Sequence, residues 1–333
     1  KEWDKVEKGL KQRVRALNLF IEDCYNEQKF MKDSDMEESL ILDSPAFKEY
    51  CIGMKLKHNS WAGICGSDLI KDKDGIFYVL EDNLRVPSGV SYMLENRTVM
   101  KRVFPELFQH YGVMPVSAYP DRLYEMLVSM SHTRSKQPEI VLLTPGIYNS
   151  AYFEHSYLAK QMGIDIVQGE DLVVLKDKCV YKKTIEGLIR VDVIYRRIDD
   201  DFLDPSAGNK DSMLGVEGLI DSWRSKKVSI INAPGCGIAD DKAVYAYVPD
   251  MIRYFLKEEP LLNNLPTLLM TNKENQSIVS KKFKEFVIKP VAESGGYGIV
   301  IGKSASTEVK EKTIKQIKKD PRNFIAQPLA LLS

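Results

Sequence analysis

Residues 66–83 read GSDLIKDKDGIFYVLEDN. Two short runs of strand-forming residues, around Asp68–Ile70 and Ile76–Glu81, flank the polar stretch Lys71–Gly75, which ends in Asp-Gly. That pattern predicts a β-hairpin. Side chains alternate along a strand, so Glu81 and Asn83 share one face, and the hairpin brings Asp68 across from them. Three hard oxygen donors on one face suit Mg2+, which takes carboxylates together with phosphate oxygens and keeps several waters. A solvated hairpin with its charges outward has the same composition, so these residues alone leave both readings open. The loop RVPSGVSY (85–92) argues for the first, because its proline and glycine shape a path that carries Arg85 and Ser88.

A second stretch, FVIKPVAESGGYGIVIG (286–302), predicts strand, glycine loop, strand. Lys289 ends the first apolar run, and Ser294–Gly298 holds three glycines in five residues: Gly295, Gly296 and Gly298. Backbone N–H groups of such a loop can approach phosphate oxygens closely, and a lysine beside it adds positive charge. Glycine hairpins also occur in proteins that bind nothing. The loop lacks the Gly-Lys-Ser/Thr of a P-loop. It is not a dinucleotide fingerprint either, since no helix pattern opens directly after it. A Rossmann oxidoreductase therefore ranks below the other readings.

Outward from these two stretches, helical spacing of Trp3, Val6, Leu10, Val14, Leu17 and Phe20 predicts a helix over 2–31. Shorter helices are predicted at 46–56 and 91–110. From about residue 120 strands and helices alternate, with strands at 139–143, 164–168, 172–182, 191–197 and VSIINAPG (228–235). A helix over 240–257 follows. Such alternation predicts a parallel, doubly wound sheet. The fold class is thus mixed α/β and α+β. The predicted division is 1–110 with the acidic hairpin, 111–238 as the Rossmann-like domain, and 239–333 with the glycine loop.

The 47 basic and 47 acidic residues cancel, which removes the electrostatic argument for nucleic acid or an anionic membrane while permitting a local basic pocket. No apolar run approaches the roughly 20 residues that span a bilayer. The five cysteines are scattered without zinc-ligand spacing, as expected for reduced thiols in a cytoplasm. The chain starts at Lys1 without methionine and stops at Ser333 directly after an apolar run, so trimming at both ends is expected.

Taken together, the two stretches resemble the ATP-grasp superfamily. There, a hairpin supplies an aspartate and then Glu-x-Asn to magnesium, matched by Asp68, Glu81 and Asn83, and DLIKDKDGIFYVLEDNLRVPSG is close to the D-alanine ligase version. The resemblance implies that Lys289, Ser294, Gly295, Gly296 and Gly298 grip phosphate. It also implies that Lys242 of the Asp241-Lys242 pair is the other nucleotide lysine, and that the adenine hinge lies around Gln327 in FIAQPLALL. Ordinary members place the hairpin last. Here it comes first, which resembles the circularly permuted ATP-grasp proteins akin to glutathionylspermidine synthases. The resemblance extends through LTPGIYNSAYFEHSYLAKQMGIDIVQGEDL, VDVIYRRIDDDFLDP and NAPGCGIADDKAVYAYVPDMIRYFL, nearly the whole chain. One departure stands out. D-alanine ligases carry an arginine two residues before the metal aspartate, where this chain has Gly66; the substitute is expected in Arg85 or Arg97, or in a segment outside this sequence.

The resemblance implies an ATP- and Mg2+-dependent ligase that joins a carboxylate to an amine through an acyl phosphate. The alternative is a non-catalytic ATP-binding regulatory or assembly module. In a doubly wound sheet the substrate pocket lies at the carboxyl ends of the strands, where YRRIDDD sits. Arg196 and Arg197 could hold a carboxylate, and Asp199, Asp200 and Asp201 an amine. A local Arg–Asp salt-bridge network explains the same residues equally well. Asn149, Tyr152, Glu154 and His155 are further pocket candidates, with His155 equally well read as a helix residue satisfied by a neighbour.

Overall fold

The computed structural model describes residues 2–133, 135, 137–291 and 297–330. Ser294, Gly295 and Gly296 of the predicted phosphate loop lie outside the described residues. The chain forms two compact units, each gathered from separate segments: Lys1–Lys48, Cys65–Leu84 and Cys236–Ser333 in the first, Glu49–Ile64 and Arg85–Gly235 in the second. Among the described residues no helix is long and apolar enough to cross a membrane.

In the first unit the helix Glu2–Tyr25 ends where Asp23 accepts hydrogen bonds from the backbone N–H groups of Lys29 and Phe30. This capture turns the chain at Gln28, which has positive φ, and divides the predicted 2–31 helix in two. The buried face of the helix also differs from the predicted stripe. Trp3 is 61% exposed, while Gln12 and Arg13 are buried. The hairpin pairs Gly66–Lys71 with Phe77–Asn83, and Asn263–Asn264 adds a short parallel strand to the latter. Val6, Val79, Tyr245 and Leu262 form the apolar cluster between helix and hairpin.

The same unit holds a four-stranded antiparallel sheet in the order Leu268–Leu269, Phe324–Pro328, Phe286–Pro290, Val300–Ile301. Directly paired residues share a face. Phe286, Ile288 and Ala326 therefore point to one side, where they pack with Met270, Val279, Phe283 and Ile317. Val287 and Lys289 lie on the opposite face, with their partners Gln327 and Ile325. The predicted helix over 240–257 is broken into Lys242–Tyr245, Val248–Met251 and a wider turn at Ile252–Leu256. Pro249 explains the break, because it has no N–H to continue the helical ladder.

The second unit contains the predicted parallel sheet, in the order Asp165–Val167, Ile140–Leu143, Val193–Arg196, Ser229–Ile231. From Ile140–Leu143 the chain crosses first to one side and then to the other, so the topological switch lies between Ile140–Leu143 and Val193–Arg196. Helices Val90–Val103, Tyr119–Met130 and Tyr152–Met162 contribute Leu94, Leu123, Leu127 and Leu158 to the core around Leu142 and Val193. An antiparallel meander, Leu172–Val174, Val180–Thr184 and Gly187–Val191, accompanies the sheet. In place of the predicted 46–56 helix are loops with a single 3-10 turn at Glu49–Cys51. Gly53 takes positive φ within this stretch, which a right-handed helix does not accommodate.

Candidate functional site

The hairpin register sets Asp68 directly opposite Glu81. The next pair is Leu69 with Val79, so Leu80 is an extra residue, a β-bulge. The bulge changes the phase of the strand. Val79 and Asp82, three residues apart, are both buried, and Glu81 and Asn83 are turned to the other face. Asn83 donates its amide N–H to Gly66 O at 3.2 Å, so its carbonyl oxygen is the atom that can serve a cation. Asp68 and Glu81 are within hydrogen-bonding reach of each other. Partial desolvation, then the Glu81 charge and that hydrogen bond, push the Asp68 carboxyl above the usual range, while Lys289 and Lys242 pull it back.

Both lysines predicted to touch nucleotide converge on this pair. Lys242 Nζ lies 3.2 Å from Glu81 Oε2, with little of either side chain exposed. Lys242 opens its helix behind Asp241, whose carboxylate accepts from the Ala243 N–H at 2.8 Å and pairs with Arg322 at 2.6 Å. Burial, then the positive charge of Lys242, lower the Lys289 ammonium, and Glu81 and Asp68 oppose them. On the same sheet face as Lys289, Gln327 is buried. Its Nε2 donates to Thr267 Oγ1 at 3.0 Å, and its Oε1 has no hydrogen-bond partner among the described residues. Gly298 has positive φ, and a Cβ there would meet Pro290 Cγ at 2.7 Å. Glycine is thus required at the end of the loop.

The donor set fits a hard divalent cation. Two facing carboxylates and an amide oxygen carry repulsion that such a cation would relieve. Among the described residues, no group of three or more His, Cys, Asp or Glu side chains is arranged to hold a metal; the third donor here is an amide.

Sequence reasoning missed the support beneath the carboxylates. Arg13, fully buried, forms a forked pair with Asp82, with its Nη2 at 2.5 Å and its Nε at 3.2 and 3.3 Å. Asp82 also accepts from Ser67 Oγ at 2.6 Å. The available signal was an arginine at position 13, midway between Leu10 and Leu17 in an apolar helical stripe.

The remaining predicted residues lie in the second unit. Arg196 is buried. It donates to the carbonyls of Asn232, Ile198 and Ala233 and pairs with Asp200 at 2.6 Å. Asp200 also accepts from the Gly235 N–H. Arg197 is buried too. It donates to Pro87 O and Tyr195 Oη, bonds Ser88 Oγ, and pairs with Glu154 at 3.3 Å. Glu154 accepts from Gly89 N, Ser91 N and Ser91 Oγ. In this geometry Arg196 and Asp200, and Arg197 and Glu154, are engaged with each other and with backbone groups, as an internal salt-bridge network would have them. Asn149 and Asp199 remain exposed, on the loops flanking the topological switch. Asn149 caps the turn before Tyr152 through the Ala151 N–H. Asp199 pairs with Arg85 at 3.4 Å. Arg97 donates to Met114 O and lies over the Phe108 ring.

His155 is buried against Thr144 Oγ1 at 2.8 Å, and burial followed by the Arg197 charge lowers its pKa to about 4. The unfolded chain binds a proton at the ordinary value of 6.5, so stability is present above that pH and is lost as pH falls toward about 4. A loss of about 2 kcal/mol is expected between about pH 7 and about pH 5. Urea denaturation at the two pH values checks this, and His155→Gln should flatten the difference.

The sequence matches the family described as circularly permuted ATP-grasp type 2 over residues 1–333. A Synechocystis protein without an assigned function is 50% identical over the whole chain, which spans 69% of that relative. A Mycobacterium tuberculosis relative, also without one, is 46% identical, and the chain spans 60% of its length. A Frankia casuarinae protein with the provisional name glutamate–cysteine ligase 2-2 is 39% identical, with 38% of its length matched. Among solved structures, a glutathione synthetase-like effector from Globodera pallida in its apo form superposes with a TM-score of 0.58 at 13% identity, covering 98% of this chain and 73% of that one. That likeness is one of fold. With the permuted order of hairpin and glycine loop, these matches establish that the chain belongs to the circularly permuted ATP-grasp type 2 family.

Proposed function

We propose that this chain carries the ATP site of an ATP-dependent ligase that joins a carboxylate to an amine. The observation that carries the proposal is the convergence of Asp68, Glu81, Lys242 and Lys289, two acids and two cations from four separate elements. Asp68, Glu81 and Asn83 would hold Mg2+, which when bound neutralises phosphate charge. Lys242 and Lys289 would bind the phosphates as point charges. The unsatisfied Gln327 Oε1 supports a hinge that accepts a hydrogen bond from adenine. Ser294, Gly295, Gly296 and Gly298 would cover the phosphates.

In the proposed reaction a substrate carboxylate oxygen attacks the γ-phosphorus. The bond from that phosphorus to the bridging oxygen breaks, and ADP leaves. An amine nitrogen then attacks the acyl carbon, phosphate departs, and the nitrogen loses a proton. The work of the site is positioning and charge stabilisation. The exposed loops with Asn149 and Asp199 at the topological switch are the proposed substrate edge. The name of the Frankia relative supports amino acids as the substrate class.

A second reading is a non-catalytic ATP-binding module. It is favoured by Gly66 in place of a phosphate-stabilising arginine and by the pairing of Arg85 with Asp199. The deciding assay measures phosphate release from Mg-ATP with pools of amino acids, peptides and polyamines. Tight binding without substrate-stimulated turnover selects the module. Under either reading, Lys289→Ala should weaken ATP binding about 10- to 100-fold, the worth of one charge-assisted contact. Unchanged affinity by calorimetry removes Lys289 from the site.

A further inference from the structure

Beneath the two facing carboxylates lies an ion pair that the proposed chemistry does not use. Arg13 reaches from the helix Glu2–Tyr25 to Asp82, and Asp82 in turn accepts from Ser67. Ser67 immediately precedes Asp68, and Asp82 sits between Glu81 and Asn83. The network therefore grips both strands of the hairpin next to each proposed metal donor. Arg13 Nη1 also donates to Asn264 Oδ1 at 2.5 Å, and Asn264 Nδ2 donates to Tyr245 O at 2.8 Å. The guanidinium lies over the Tyr245 ring, on the helix that opens with Lys242. One cation thus ties together the hairpin, the short strand beside it and the helix of the nucleotide lysine.

We infer that Arg13 is a positioning residue for the metal hairpin, holding Asp68 and Glu81 face to face against their mutual repulsion through Asp82 and Ser67. This inference rests on the proposed metal role of those carboxylates. Stability alone is a weak reason for a buried pair, because apolar residues of similar volume replace such pairs at little cost. The fork is needed because a lysine is a single point charge and cannot engage Asp82 and Asn264 in the same planar geometry.

The test compares ATP binding by the full chain, with and without MgCl2, for wild type, Ser67→Ala, Arg13→Lys and Glu81→Gln. Ser67→Ala and Arg13→Lys should shrink the Mg2+-dependent gain in ATP affinity about tenfold while metal-free binding stays within about twofold, as for residues that orient metal ligands. If Arg13→Lys does not fold, Ser67→Ala decides alone, since it removes the hydrogen bond to Asp82 and a weak contact with Cys65 Sγ and leaves the ion pair. A gain that persists in both variants overturns the role, provided Glu81→Gln loses it. Equal loss of metal-dependent and metal-free binding also overturns it, because a merely structural role predicts that pattern. If wild type shows no Mg2+ gain, or Glu81→Gln keeps it, the metal reading fails and the positioning role falls with it.

Discussion

Glu81→Gln is expected to lower Mg2+-dependent phosphate release roughly 10²- to 10³-fold, the scale of removing one preorganised electrostatic contact. The substitution keeps the shape of the side chain and removes its charge. It thereby weakens a proposed metal donor and the partner of Lys242 at 3.2 Å. It also removes the like-charge repulsion with Asp68. Thermal stability should therefore stay level or rise while turnover falls, the trade found where a site stores unfavourable charge. Steady-state phosphate release and a melting curve on the same preparation check both halves. Full activity in the variant would end the assignment of Glu81 to the metal. A fall in melting temperature as large as the loss of activity would mean that the change had damaged the fold.

The second large effect concerns stability. Glu154→Ala strands the Arg197 guanidinium in the core and takes the acceptor from Gly89 N, Ser91 N and Ser91 Oγ. Breaking a buried pair from one side costs about 3–5 kcal/mol. Glu154→Gln keeps an acceptor and should cost less. Tryptophan fluorescence during urea denaturation gives the readout. Trp61 and Trp223 are buried together in the second unit at 6.5 Å, whereas Trp3 is exposed. A cost below about 1 kcal/mol, the usual value for an exposed pair, would show that the network is not structural and would return Glu154 and Arg197 to the list of substrate contacts.

The parts of the fold and site that follow short-range rules were legible in the sequence. Period-two alternation and the Asp-Gly turn placed Asp68 across from Glu81, and alternating strands and helices announced the parallel sheet. What stayed hidden depends on the other side of a contact. For Arg196 and Arg197 the sequence left a carboxylate site and a local salt-bridge network equally open, because nothing local reveals that Asn232, Ala233, Pro87 and Glu154 meet them from distant segments. Arg13 drew no reading from the sequence for the same reason. The bulge at Leu80 has no residue signature, although it decides that Asp82 turns toward Arg13. Pro249 was visible, and its effect on the 240–257 helix could have been foreseen.

The segmental make-up of the two units bears on biosynthesis. Once Gly235 has left the ribosome, every residue of the second unit is available, while residues 236–333 of the first have yet to follow. The acidic hairpin, made early, must wait for Tyr245, Leu262 and Asn264 before its apolar side and Arg13 find all their partners. Neither unit can be excised as one continuous stretch for separate expression. A chain halted before the last segment leaves the helix Glu2–Tyr25 with an unmet apolar face, the kind of surface on which chaperones and aggregation compete.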